Sequence, residues 1–146
     1  MKETQPGTIY REAYQAPAYL IAHTTLDFKL FEDHALVHST LHIARNVQSS
    51  APRDLELHGV DLALVSLMLD ERVLDSTQYS VNDELLCISA VPDKFVLQCT
   101  TRIQPQDNTS LEGLYKSRTM FCTQYEAEGF RKITYYPDRP DVMSVF

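Results

Sequence analysis

No stretch of this sequence approaches the roughly 20 consecutive apolar residues that a membrane-spanning helix needs, so no helical membrane span is expected. A secretory leader is missing too. Residues 1–14, MKETQPGTIYREAY, are polar where such a signal would be hydrophobic, and the location this predicts is the cytoplasm. Cysteine is scarce and odd in number. Cys87, Cys99 and Cys122 have no C-x-x-C spacing, which favours reduced thiols over a disulfide or zinc framework. The sequon Asn108-Thr109-Ser110 would matter only in a secreted protein. Four glycines and seven scattered prolines leave no flexible linker or low-complexity tail. Positive charge is also in deficit, 13 Lys and Arg against 20 Asp and Glu, for a net charge of −7. Phosphate binding needs clustered cations, so a nucleic acid or an anionic membrane is not the expected partner, whereas a cationic ligand is compatible.

What is present is enough chain for one domain, 146 residues with 44% hydrophobic and 23% charged side chains. Period-two patterns dominate it. Leu26, Phe28 and Leu30 alternate with Asp27 and Lys29, and Val37, Ser39, Leu41 and Ile43 with His38, Thr40 and His42. Phe95, Leu97, Cys99, Thr101 and Ile103 alternate with Val96, Gln98, Thr100 and Arg102. Leu62 to Leu69 is nearly all apolar, as for a strand covered on both faces. The polar triplet Asp70-Glu71-Arg72 then predicts a hairpin turn, and Ala51-Pro52-Arg53-Asp54, Asn82-Asp83 and Val91-Pro92-Asp93 predict further turns. Short strands punctuated about every ten residues predict an all-β antiparallel sandwich or open barrel. The one helix start falls at the C-terminal end, with Asp138 as N-cap, Pro140 in the first turn and Asp141 at the positive pole. Ending at Phe146, about two turns later, such a helix is marginal alone, which points to a piece of a longer polypeptide.

Chemistry-bearing spacings are few. His38-Ser-Thr-Leu-His42 has the outer spacing of H-E-x-x-H, but Ser stands where the general base belongs. On a strand the two imidazoles lie about 13 Å apart, too far for one zinc, so solvent-facing strand residues are expected. No G-x-S-x-G is present and no His lies near Cys122 in sequence, so a structural thiol is expected there. Glu126 and Glu128, taken as i and i+2 on a strand, would be about 7 Å apart, but they would point in parallel rather than across a substrate. One carboxylate with a neighbouring amide suits a different task. Glu126 with Gln124 on the same strand face could clamp an ammonium group, because charge-assisted hydrogen bonds are about twice as strong as neutral ones.

The segment CTQYEAEGFRKITYYPDRPDV, Cys122 to Val142, resembles the end of the N-terminal domain of the bacterial aminopeptidase N family of zinc metallopeptidases. Tyr10-Arg11-x-x-Tyr14-x-Ala16-Pro17-x-Tyr19 resembles the opening of that domain, and Asn108-Thr109-x-Leu111-Glu112-Gly113-Leu114-Tyr115 a later part, so the resemblance covers essentially residues 1–146.

The resemblance implies a saddle-shaped antiparallel β domain resting on a thermolysin-like catalytic domain of the same chain. The zinc motif H-E-x-x-H, a downstream Glu ligand and a GAMEN segment would lie in that second domain, and none occurs here. By this likeness the full-length protein is a zinc aminopeptidase that removes single residues from peptides with a free N-terminus. Catalytic residues and metal ligands are then not expected in these 146 residues, and the zinc would polarise the scissile carbonyl and activate water elsewhere. Glu126 matches the family's glutamate that binds the substrate α-amino group, and Gln124 the glutamine that lines the pocket for the first side chain. Glu128 and Arg131 are expected to pair at i,i+3 if the segment curls. Tyr125 departs from the family, where a smaller residue, often Cys, is usual; strand alternation would point it away from Gln124 and Glu126. The competing expectation is a β-sandwich interaction module with no catalytic partner.

Overall fold

Alternation decides which face of each strand is buried, and turns decide how the strands are paired. A computed structural model describes residue 8 and residues 10–146. Ten strands follow in order: β1 (Tyr19–Leu30), β2 (Ala35–Arg45), β3 (Leu55–His58), β4 (Ala63–Leu69), β5 (Arg72–Val73), β6 (Tyr79–Val81), β7 (Leu85–Ile88), β8 (Lys94–Ile103), β9 (Gly113–Ser117) and β10 (Met120–Gln124). Two single 3-10 turns, Arg11–Ala13 and Phe130–Lys132, complete the regular structure of the described residues. All strand pairings are antiparallel. They form a five-stranded sheet, β1-β2-β8-β4-β5, a three-stranded sheet, β3-β7-β6, and the hairpin β10-β9.

In β2 and β8 the inward residues named by the alternation are the buried ones, whereas in β1 Leu26 and Phe28 are only half-buried and Leu30 is exposed. Leu41 and Ile43 of β2 and Phe95, Leu97 and Cys99 of β8 pack against Leu55, Leu57, Leu86 and Ile88 of the smaller sheet. Tyr135 and Tyr136 enter the same core. A second cluster, Ala35, Val37, Ile103, Leu114 and Ile133, fixes the β9–β10 hairpin to the end of the large sheet. Buried hydroxyls are satisfied along this junction. Thr101 Oγ1 donates to the Ile133 carbonyl at 2.9 Å, and Thr134 Oγ1 to Ser39 Oγ at 3.1 Å. Burial pushes the Cys99 thiol up to about 12, so it packs as a small apolar group, and all three cysteines are free.

The turn between β4 and β5 falls at Asp70-Glu71, both at positive φ, the backbone a tight two-residue hairpin requires. The turns expected at 51–54, 82–83 and 91–93 likewise separate strands. Two expectations are corrected. The first concerns Leu62 to Leu69, expected to be covered on both faces; in β4 only Leu67 is fully buried. A register shift between Leu64 and Ser66 breaks its alternation, and only the two-residue β5 lies beyond it.

The second correction is at the C-terminal end, where no helix forms. The Asp138 carboxylate accepts hydrogen bonds from Arg131 rather than capping a helix. After a single turn at Pro140-Asp141 the tail runs extended along β1, with Thr24 N donating to the Val145 carbonyl at 2.8 Å. Pairing with an exposed strand edge satisfies backbone groups that two isolated helical turns would leave open.

Candidate functional site

Gln124 and Glu126 lie where the β9–β10 hairpin runs out. The last ladder pair is Gln124 with Gly113, and the chain then leaves the sheet at Tyr125 and turns back through residues 126–129. Gly129 N donates to the Tyr125 carbonyl at 2.9 Å, closing this turn, within which the Glu126–Ala127 peptide is cis. The turn sits on two glycines for steric reasons. A Cβ on Gly129 would stand 2.4 Å from the Gln124 carbonyl oxygen, and Gly113 has φ +73° with Lys132 Cβ 2.8 Å from where its own Cβ would be.

This geometry corrects the expectation that Gln124 and Glu126 share one strand face. Gln124 ends β10, whereas Glu126 stands in the turn beyond it, and both are exposed. β10 has a partner on one side only, and that partner begins at Gly113, so the period of two has nothing to hold it past residue 124. A strand-face pair of Glu126 with Glu128 is absent for the same reason. Glu128 instead meets Arg131 at 3.3 Å, the i,i+3 pairing expected of a curled segment. The Tyr125 ring lies 5.6 Å from that of Phe130, which in turn meets Tyr136 at 4.7 Å and Phe146 at 5.9 Å.

Arg131, the cation nearest in sequence, is already committed. Its Nε donates to Asp138 Oδ2 at 3.0 Å, its backbone N to the same oxygen at 3.2 Å, and its Nη2 to the Asp138 carbonyl at 3.1 Å. With Glu128 on Nη1, the guanidinium is taken up. Among the described residues Glu126 has no ion-pair partner, and Lys132 is held by Asp61 at 3.3 Å. The result is an exposed anion beside satisfied neighbours, free to take a cation from outside.

His58 completes the support. Its backbone pairs with Tyr136 in both directions, and its Nδ1 accepts the Asp138 N–H at 3.2 Å. Burial, then the nearby Arg131 charge, hold the imidazole pKa below its ordinary value of 6.5. The unfolded chain therefore binds this proton more readily than the folded one, so stability falls as pH drops through 6.5 toward the lower folded value. Replacing His58 with Gln should flatten the urea midpoint against pH in that window. An unchanged slope would remove His58 as its source. Sequence reasoning missed this His, and it missed Asp138 as the acceptor for Arg131. Seven residues would put Arg131 and Asp138 on one face of a helix, but beyond the single 3-10 turn Phe130–Lys132 the segment is neither helix nor strand, so no local period signalled the pair.

The remaining candidates stay apart from this site. His38 Nδ1 contacts Thr100 Oγ1 at 2.8 Å, His42 is exposed, and Cys122 is half-buried in β10. Among the described residues no three His, Cys, Asp or Glu side chains cluster as metal ligands, so these residues do not fit the zinc that the resemblance implies. Clefts open elsewhere, one lined in part by Asp61, Arg102 and Lys132, and another by Tyr19, His58 and Arg139. Neither includes Gln124 or Glu126.

An open antiparallel β domain of this kind is shared with the N-terminal part of M1 aminopeptidases. A solved Legionella pneumophila aminopeptidase A in complex with aspartic acid superposes with a TM-score of 0.84 at 28% identity, covering 91% of this chain and 16% of that one. A Deinococcus radiodurans M1 zinc metallopeptidase bound to a Tyr-Ser-Ala substrate shares the fold with a TM-score of 0.70 at 12% identity, covering 89% of this chain and 32% of that one. In sequence, the chain is 43% identical over 142 residues to aminopeptidase N of Escherichia coli (strain K12), and 42% identical over 144 residues to that of Caulobacter vibrioides. These matches cover 97% and 99% of this chain but only 16% of each relative, so it spans about a sixth of their length. No family model matches. Sequence and fold together place the chain with the N-terminal part of the aminopeptidase N family.

Proposed function

We propose that residues 1–146 form the substrate-recognition β domain of a zinc-dependent aminopeptidase, and that Glu126, flanked by Gln124, holds the α-ammonium group of a peptide. The carrying observation is the Glu126 carboxylate, exposed on a turn beside Arg131, whose guanidinium is already taken by Glu128 and Asp138. A peptide's N-terminal ammonium supplies the missing cation, and the exposed Gln124 side chain at the end of β10 carries a further acceptor. An anchor on the amine sets how far the chain reaches toward a reaction centre, so a fixed Glu126 selects the bond after the first residue. The turn lies open and outside the clefts, which fits a site completed by another domain of the same polypeptide; the zinc and its ligands belong to that domain. Specificity for the first side chain falls to Gln124 together with surfaces beyond these residues.

The test compares peptides that have a free amine with the same peptides N-acetylated, using the complete protein that carries this domain. Acetylation removes the positive charge, so cleavage should fall to background while the free peptides lose one residue at a time. Comparable turnover of both sets would sink the amine-anchor reading.

A further inference from the structure

We infer that Arg131 is a positioning residue for Glu126, fastening the residue 125–129 turn to the Tyr136–Asp138 segment; this rests on the amine-anchor reading above. An anchor on a turn is only useful as a measure if the turn itself is held, and three of its features would let it move. It is exposed, it leaves the sheet at residue 124, and its single internal backbone bond runs from Gly129 N to the Tyr125 carbonyl. Arg131 supplies the external tie. Its Nη1 lies 3.3 Å from Glu128 of the turn, while Nε and Nη2 grip the side chain and carbonyl of Asp138. Asp138 is in turn seated on His58 at the end of β3, and the Arg131 carbonyl accepts from Val60 N at 2.9 Å. A continuous path thus runs from the smaller sheet, through Asp138 and Arg131, to the turn that carries Glu126.

The side chain has to be arginine for a geometric reason. Three nitrogens in one rigid plane meet three acceptors in different directions, which the single ammonium of lysine cannot reproduce. The pairs are also not all equal. Arg131 and Asp138 are 20% and 14% exposed and hold a definite geometry, whereas Glu128, 67% exposed, contributes direction more than energy.

The experiment measures kcat/KM and KM on free-amine peptides for the complete protein, with Arg131→Lys placed in the wild-type and Glu126→Gln backgrounds. Far-UV circular dichroism and a melting curve establish that each variant is folded. Arg131→Lys should lower kcat/KM by roughly 5- to 20-fold, within the hundredfold that an ångström of misplacement can cause. In the Glu126→Gln background it should cause no further loss, because a misplaced anchor and an absent one fail in the same way. Equal losses in both backgrounds, or no loss in the wild type, would overturn the role of Arg131 while leaving Glu126 as the anchor. If Glu126→Gln alone changes nothing, the anchor reading fails first. Should Arg131→Lys not fold, the exposed Glu128→Gln removes only the tie to the turn. Its smaller loss, about two- to fivefold, must likewise vanish when Glu126 is Gln; a loss that persists there overturns the inference.

Discussion

On the proposed amine-anchor function, changing Glu126 to Gln in the complete protein that carries this domain should reduce kcat/KM on peptides with a free N-terminus by roughly 30- to 1,000-fold, about 2–4 kcal/mol. The substitution keeps the shape of the side chain and removes its charge, so the loss isolates the ion pair with the substrate ammonium. The size of the loss is itself informative. A carboxylate as exposed as Glu126 is in this chain would hold a solvated cation with only about 0–1 kcal/mol. An effect of several kcal/mol therefore requires that the bound substrate and the neighbouring domain exclude water from the pair, which strengthens it. N-acetylated peptides, which lack the cation, should be equally poor substrates for both forms. A loss of less than fivefold on free peptides would mean that Glu126 does not carry the amine.

The largest effect on stability is expected at Tyr135. Its side chain is 2% exposed in the main core, and the ring lies against Gly59 so closely that a Cβ there would stand 2.3 Å from two ring carbons. Cutting Tyr135 to Ala removes the ring and leaves a space that the strands around it cannot close, at a cost of about 3–5 kcal/mol. Gly59 to Ala is the complementary change: it forces a methyl into the same contact and should destabilise by about 1–3 kcal/mol. Urea denaturation of the chain reads both. A Tyr135→Ala midpoint corresponding to less than about 1 kcal/mol of loss would show that the ring is not a core element.

These two sites were unequally legible in the sequence. The ladder residues Val37, Leu41 and Ile43, and Leu97, Cys99 and Ile103, were evident because burial of one sheet face forces a period of two in any chain. The Asp70-Glu71 hairpin was evident because the polar triplet Asp70-Glu71-Arg72 interrupts an apolar run. Tyr135 was harder. It sits in an irregular stretch where no period applies, and both Tyr135 and Tyr136 are buried, which neither alternation nor any local pattern announces. Glu126 was singled out by likeness of sequence, but its assignment to a strand face extended the alternation past the point where β10 loses its partner. The helix expected from Asp138 failed in the same way. Good capping chemistry was present, yet Arg131 offered the Asp138 carboxylate a stronger use.

By itself the sequence determined the all-β class, the inward sets of β2 and β8, most of the turns and the family, because strand alternation, turn chemistry and the Cys122–Val142 motif are local properties of the chain. Only the tertiary structure decided where strands stop, which acids take Arg131, and hence that Glu126 stands on a turn without an ion-pair partner among the described residues. Those outcomes come from competition among groups that are distant in sequence: an edge without a neighbour cannot continue as a strand, and a guanidinium goes to the acceptors that folding sets in its plane.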